Sequence, residues 1–142
     1  MGLIDLASGN SLWRGIDYYE EKRVSLINQV NENTIESEVL GRNDKLYHVL
    51  IDIEHPRKSK CNCLFADGRR VVCKHMIATY FTVYPEEAKR IYKEVAEYEK
   101  EENNRQQEEY KEIERYVNTL TEQELRERLI SYMIDEKERR YW

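Results

Sequence analysis

The 142-residue chain is poor in the residues that break or crosslink a fold, with two prolines, five glycines and three cysteines. So few breakers exclude a low-complexity linker and an all-β protein divided by many turns. No apolar run approaches the roughly 18–20 residues that span a bilayer. The opening Met1-Gly2-Leu3-Ile4-Asp5-Leu6 has no basic region leading into an apolar stretch, so it does not read as a secretory signal. Leu6 stands where a myristoylation signal needs Ser or Thr. The expectation is a cytoplasmic protein with no membrane partner. Three cysteines cannot close a disulfide framework without leaving one over, and all three fall between positions 61 and 73. The phosphate-binding pattern GxxxxGK[ST] is missing, and no Ser-His-Asp or paired-carboxylate set stands out. Neither an enzyme nor a small-molecule substrate is expected.

Hydrophobic residues make up 40% of the chain and tyrosines number eleven, enough for a modest core. Leu12, Ile16 and Tyr19 fall at helical spacing, predicting a helix over 11–21 with Ser11 as its N-cap. From 23 to 53 the pattern turns to β. Polar turns at Asn31-Glu32-Asn33 and Gly41-Arg42-Asn43-Asp44 separate three runs, and Tyr47, Val49, Ile51 and Ile53 alternate in the last. A three-stranded antiparallel meander is expected. Lys74 to Tyr84 reads as a buried helix stopped near Pro85, and Pro85-Glu86-Glu87 opens another. Glu99 to Glu109 contains no apolar residue and is expected to be a solvated helix or a polar tip between helices. Tyr110, Ile113, Val117 and Leu120 then form a stripe, and Thr121-Glu122-Gln123-Glu124 is a capping-box signature ahead of a final helix.

The chemistry is concentrated in Cys61-Asn62-Cys63, nine further residues, and Cys73-Lys74-His75. Two pairs, each separated by one residue, supply the four Cys/His donors of a tetrahedral structural zinc. In extended chain, i and i+2 face the same side, so Cys61 and Cys63 can share an ion. The same spacing within a helix diverges, so Cys73 is expected just before the helix and His75 in its first turn. Asp67-Gly68 can turn the chain back between the pairs. Four protein ligands leave no open position for a water, so the site reads as structural.

Other readings use the same residues. A Cys73–His75 catalytic dyad asks neighbouring positions for hydrogen-bond geometry that they rarely reach. A redox Cys61–Cys63 pair lacks the CxxC helix context, and an iron–sulfur centre would use the same donors, although zinc is the commoner occupant. His48 lies on the strand face opposite Tyr47 and Val49 and reads as surface. His55 is close in sequence but superfluous beside four better ligands. Tyr18, Tyr19, Tyr47, Tyr80 and Tyr84 read as core around the metal.

The pattern Cys61-x-Cys63-x9-Cys73-x-His75 followed by Met76-Ile77-Ala78 resembles the SWIM zinc finger family, CxCx(n)CxH before an apolar helix. Upstream, Arg14-Gly15, Tyr18 or Tyr19, Val24, Val39-x-Gly41 and Tyr47-x-Val49 are similar to the stretch that leads into the finger in bacterial members. The likeness covers about residues 11–84. Leu64 departs from the family, many of whose bacterial members place a proline after the second cysteine. The resemblance implies a Zn²⁺ site and a role in binding DNA or protein. The family occurs in SNF2-type ATPases, plant transposases, some kinases and partners of recombinases, which makes an SNF2-type ATPase a candidate partner.

Charge is distributed unevenly. Residues 54–84 carry Arg57, Lys58, Lys60, Arg69, Arg70 and Lys74 against Glu54 and Asp67, while the whole chain is at -5. These six cations are the candidate phosphate contacts; a solvated loop is the plain alternative. The expected architecture is α+β. A zinc finger domain (1–84) holds a short N-terminal helix, a three-stranded sheet and a Cys₃His module with its helix, and a charged helical extension follows (85–142). The function expected is a noncatalytic zinc-binding accessory in DNA transactions. The alternative is a protein-interaction adaptor using the helical arm, with zinc purely structural.

Overall fold

The computed structural model describes residues 2–141; the outermost positions of the two predicted segments, Met1 and Trp142, lie outside the described residues. The architecture is α+β. Helix α1 (Gly9–Glu20) leads into strands β1 (Val24–Asn31), β2 (Thr34–Leu40), β3 (Leu46–Asp52) and β4 (Lys60–Cys61). Helices α2 (Lys74–Val83), α3 (Pro85–Asn118) and α4 (Glu122–Arg140) follow. The chain divides into two compact units, one up to Lys93 and one from Glu94 on.

In the first unit all strand pairings are antiparallel, in the order β1-β2-β3-β4. The expected meander of three strands gains a fourth. Two residues long, β4 pairs Cys61 with Val49 and Lys60 with Leu50. No periodicity can announce so short a strand; it exists because the first cysteine pair is drawn onto the edge of β3. Strand β1 is irregular, with a register shift between Ser25 and Asn28 and a positive φ at Leu26. Its expected alternation is therefore interrupted.

One face of the sheet carries the core. Ile35, Val39, Val49 and Ile51 are buried there, with Met76, Ile77 and Phe81 of α2 among the core residues. Ser37 joins the sheet to α2 by a hydroxyl chain: Thr79 donates to the carbonyl of His75 at 3.0 Å, so Ser37 must donate to Thr79 at 2.7 Å. The approach of α1 to α2 depends on Gly15, where a Cβ would lie 2.4 Å from Ile77 Cγ2 and 3.0 Å from the Lys74 carbonyl oxygen.

Helix ends follow local rules. The N-cap of α1 is Ser8 rather than the expected Ser11; its hydroxyl accepts from the Ser11 amide at 3.1 Å, one turn earlier than the apolar spacing marked. At the other end, Lys22 takes the left-handed position (φ 55), with Arg23 N–H on the Tyr18 carbonyl and Lys22 N–H on Tyr19. That is a Schellman closure made without glycine.

Helix α3 begins at Pro85 and runs unbroken to Asn118, so the polar 99–109 stretch is not a tip between helices. Ion pairs three and four residues apart, such as Arg105 with Glu102 and Glu109, brace it instead. Its early residues Ala88 and Ile91 are buried. In the second unit, Thr121 and Glu124 form the expected reciprocal capping box of α4. No helix among the described residues is long and apolar enough to cross a membrane.

Candidate metal centre

Three elements bring four donors to one point beneath the sheet. Cys61 ends β4, Cys63 follows in the loop, Cys73 is the N-cap residue of α2, and His75 stands in its first turn. The sequence places each for a local reason. Extended chain turns Cys61 inward against Val49, and the Gly68 turn at φ 70 helps return the chain toward Cys73. All four side chains are buried, and their ligating atoms lie within 4.8 Å of one another.

The geometry fits zinc. With Zn–S near 2.3 Å and Zn–N near 2.0–2.1 Å, a tetrahedron has sulfur–nitrogen edges of about 3.6 Å. His75 Nδ1 lies 3.7 Å from Cys61 Sγ and 3.8 Å from Cys73 Sγ. Nδ1 is therefore the imidazole donor, and the four side chains would hold the ion. Bound there, zinc would clip the β4 edge and its loop to the start of α2.

The other ring nitrogen, His75 Nε2, is buried with no hydrogen-bond partner among the described residues. A metal-bound histidine normally gives that N–H to an acceptor. Here aromatic rings orient the imidazole instead. Tyr47 stacks on it at 4.4 Å and Tyr18 meets it edge-on at 5.5 Å. Both tyrosines thus sit at the centre, as the sequence led us to expect; Tyr19, Tyr80 and Tyr84 pack further along, around Phe81 and one another.

Protonation is what a closed thiol cluster predicts. The Cys63 thiol is pushed up to about 12, first by its hydrogen bond to Cys73 and then by burial. Cys73 is likewise pushed up to about 12, chiefly by its hydrogen bond to Cys61. Burial holds His75 below its ordinary value. Three thiolates and a neutral imidazole around a dication would leave one unit of negative charge, and the two tyrosines that flank His75 carry cations against their rings. Lys74, Arg23 and Arg42 lie 5.0, 5.2 and 5.5 Å from the Tyr18 ring centroid, and Lys45 is 5.5 Å from that of Tyr47.

Beyond the centre, a groove opens on the opposite face of the sheet. Arg57, Lys58, Lys60, Arg69 and Arg70 all line it, so five of the six expected cations are brought together. Lys74 is apart from them, half-buried over Tyr18 beside the metal cluster. Besides Glu54 and Asp67, already set against the cations in the sequence, three acids that sequence reasoning missed share the groove: Glu36, Glu38 and Asp52. The alternation in Thr34–Leu40 could have turned Glu36 and Glu38 outward, but only the pairing register sets them opposite the cations. His48 is exposed and 3.5 Å from Glu38, and His55 lies outside the metal cluster.

No curated protein and no solved structure matches the chain. Residues 47–84 match the SWIM zinc finger model, and that stretch runs from the tyrosine stacked on His75, through all four clustered donors, to the end of α2. The chain therefore carries a SWIM zinc finger at residues 47–84, built on a Cys₃His cluster suited to Zn²⁺.

Proposed function

We propose that this zinc finger is a noncatalytic module that presents a basic wall to nucleic-acid phosphates, as an accessory in DNA transactions within a reducing, cytoplasmic setting. The observation carrying this reading is the gathering of Arg57, Lys58, Lys60, Arg69 and Arg70 along one groove beside the finger loop. These side chains are exposed, so phosphate contact requires little desolvation. Such contacts position a chain without reading sequence and weaken with salt.

Charge reversal at Lys58, Arg69 and Arg70 tests this. Retention on DNA should be lost, with a shallower salt slope, about one unit per phosphate contact removed. Unchanged retention across a salt titration would overturn the reading.

A protein adaptor is the second reading, favoured by the second unit. Tyr110, Ile113, Leu129 and Tyr132 are 69%, 63%, 59% and 65% exposed, an apolar display of the kind that docks to other chains. An SNF2-type ATPase is the partner class this reading names. Its capture should require residues 99–142 and survive the three charge reversals.

A further inference from the structure

The basic wall is one half of the groove, and the strand register fixes the other. Glu36 pairs with Leu50 and Glu38 with His48 across β2 and β3, while Lys60 of β4 pairs with Leu50 from the far side. Side chains alternate across a strand, and the intervening Ile35, Ser37, Val39, Val49 and Cys61 are buried beneath the sheet. Glu36, Glu38, His48, Leu50 and Lys60 therefore share the outward face. One row crosses it from acid through apolar to base: Glu36, Leu50, Lys60.

The spacing of this floor follows from strand geometry. Two strand separations set the Glu36 and Lys60 backbones about 9.5 Å apart. Along β2, Glu36 and Glu38 are about 6.8 Å apart. A ligand satisfying both sides needs a repeating anion on one edge and hydrogen-bond donors on the other. A nucleotide strand has that form, with phosphate on one side and the Watson–Crick edge of the base on the other. The exocyclic amino groups of cytosine and adenine donate to carboxylates. In a duplex the Watson–Crick edge, with one N–H of each amino group, is engaged by the partner base, successive bases stack at about 3.4 Å, and the second strand would bring phosphates toward the acids. A splayed single strand avoids all three conflicts. At the finger loop, Phe65 is 46% exposed with the Arg69 guanidinium carbon 5.2 Å from its ring centroid, a platform on which a base can stack.

We infer that the groove binds single-stranded nucleic acid, with phosphates along Arg57, Lys58, Lys60, Arg69 and Arg70 and amino-bearing bases against Glu36 and Glu38. This rests on the nucleic-acid reading above and adds strand state and base preference to it. Thymine sets two carbonyl acceptors beside its single N–H, so a carboxylate disfavours it.

The test uses the full, zinc-loaded chain at low salt with three labelled probes: a short mixed cytosine–adenine single strand, oligothymidine of equal length, and the duplex of the first. The cytosine–adenine strand should bind about ten-fold tighter than either of the others. Glu36→Gln with Glu38→Gln, both on the outward face, should keep zinc content but erase the preference over oligothymidine, because an amide both donates and accepts. Equal binding of oligothymidine, tighter binding of the duplex, or a preference that survives in the double variant would overturn the inference while leaving the basic wall intact. Failure of all three probes to bind would sink the nucleic-acid reading itself.

Discussion

The imidazole of His75 lies against the ring of Tyr47, centroids 4.4 Å apart and 28° from parallel. Because His75 Nε2 has no hydrogen-bond partner among the described residues, this stack carries the orienting task that an acceptor usually performs. Tyr47→Leu keeps an apolar side chain but removes the flat face. Outer-shell changes of this kind cost about 10–100-fold in metal affinity. Competition against a chromophoric chelator should show a loss in that range with the helical circular dichroism retained. Wild-type affinity would contradict the positioning role.

Gly15 and Gly9 make a matched pair on one helix. A Cβ on Gly15 would meet Ile77 and the Lys74 carbonyl, whereas at Gly9 nothing lies within 4 Å. Backbone oxygen cannot yield as a flexible side chain does, so Gly15→Ala should force α1 off α2 at a cost of about 1–3 kcal/mol. Gly9→Ala should be neutral or stabilising, since alanine loses less entropy in a helix. Thermal unfolding of the two variants reads the contrast; equal midpoints would contradict the close approach.

The metal-free finger should have a bounded pH optimum. Raised thiol values at Cys63 and Cys73 mean that the folded state holds those protons more tightly than the unfolded chain. That contribution is complete below the unfolded value near 9 and is lost as pH rises toward about 12. His75 is depressed, so its contribution is complete above about 6.5 and is lost as pH falls. Thermal midpoints of the apo protein should therefore peak between about 6.5 and 9. Zinc requires thiolates, so loading releases protons and affinity should rise with pH. Isothermal titration in buffers of different ionisation enthalpy measures that release; binding without proton release would contradict the thiolate assignment.

Much of the metal centre was legible because it is local. Cys61 ends a strand with Cys63 two residues on in the loop, Cys73 caps a helix, and His75 stands in its first turn; each follows from ligand spacing and helix geometry. Strands β2 and β3 were legible through alternation. What stayed hidden depends on pairing across the sheet. The short β4 and the placement of Glu36 and Glu38 opposite the cations are set by register, which no single strand encodes. The continuity of α3 through its polar middle was also open in the sequence, because charge pairs three and four residues apart sustain a helix without any apolar stripe.

Metal content tests the central claim most directly. Protein purified under reducing conditions with zinc supplied should contain one zinc per chain by elemental analysis. The His75→Ala and Cys73→Ser variants should lose it or hold it far more weakly. Reduced, folded wild-type protein without stoichiometric zinc, or full retention of zinc in both variants, would contradict the account.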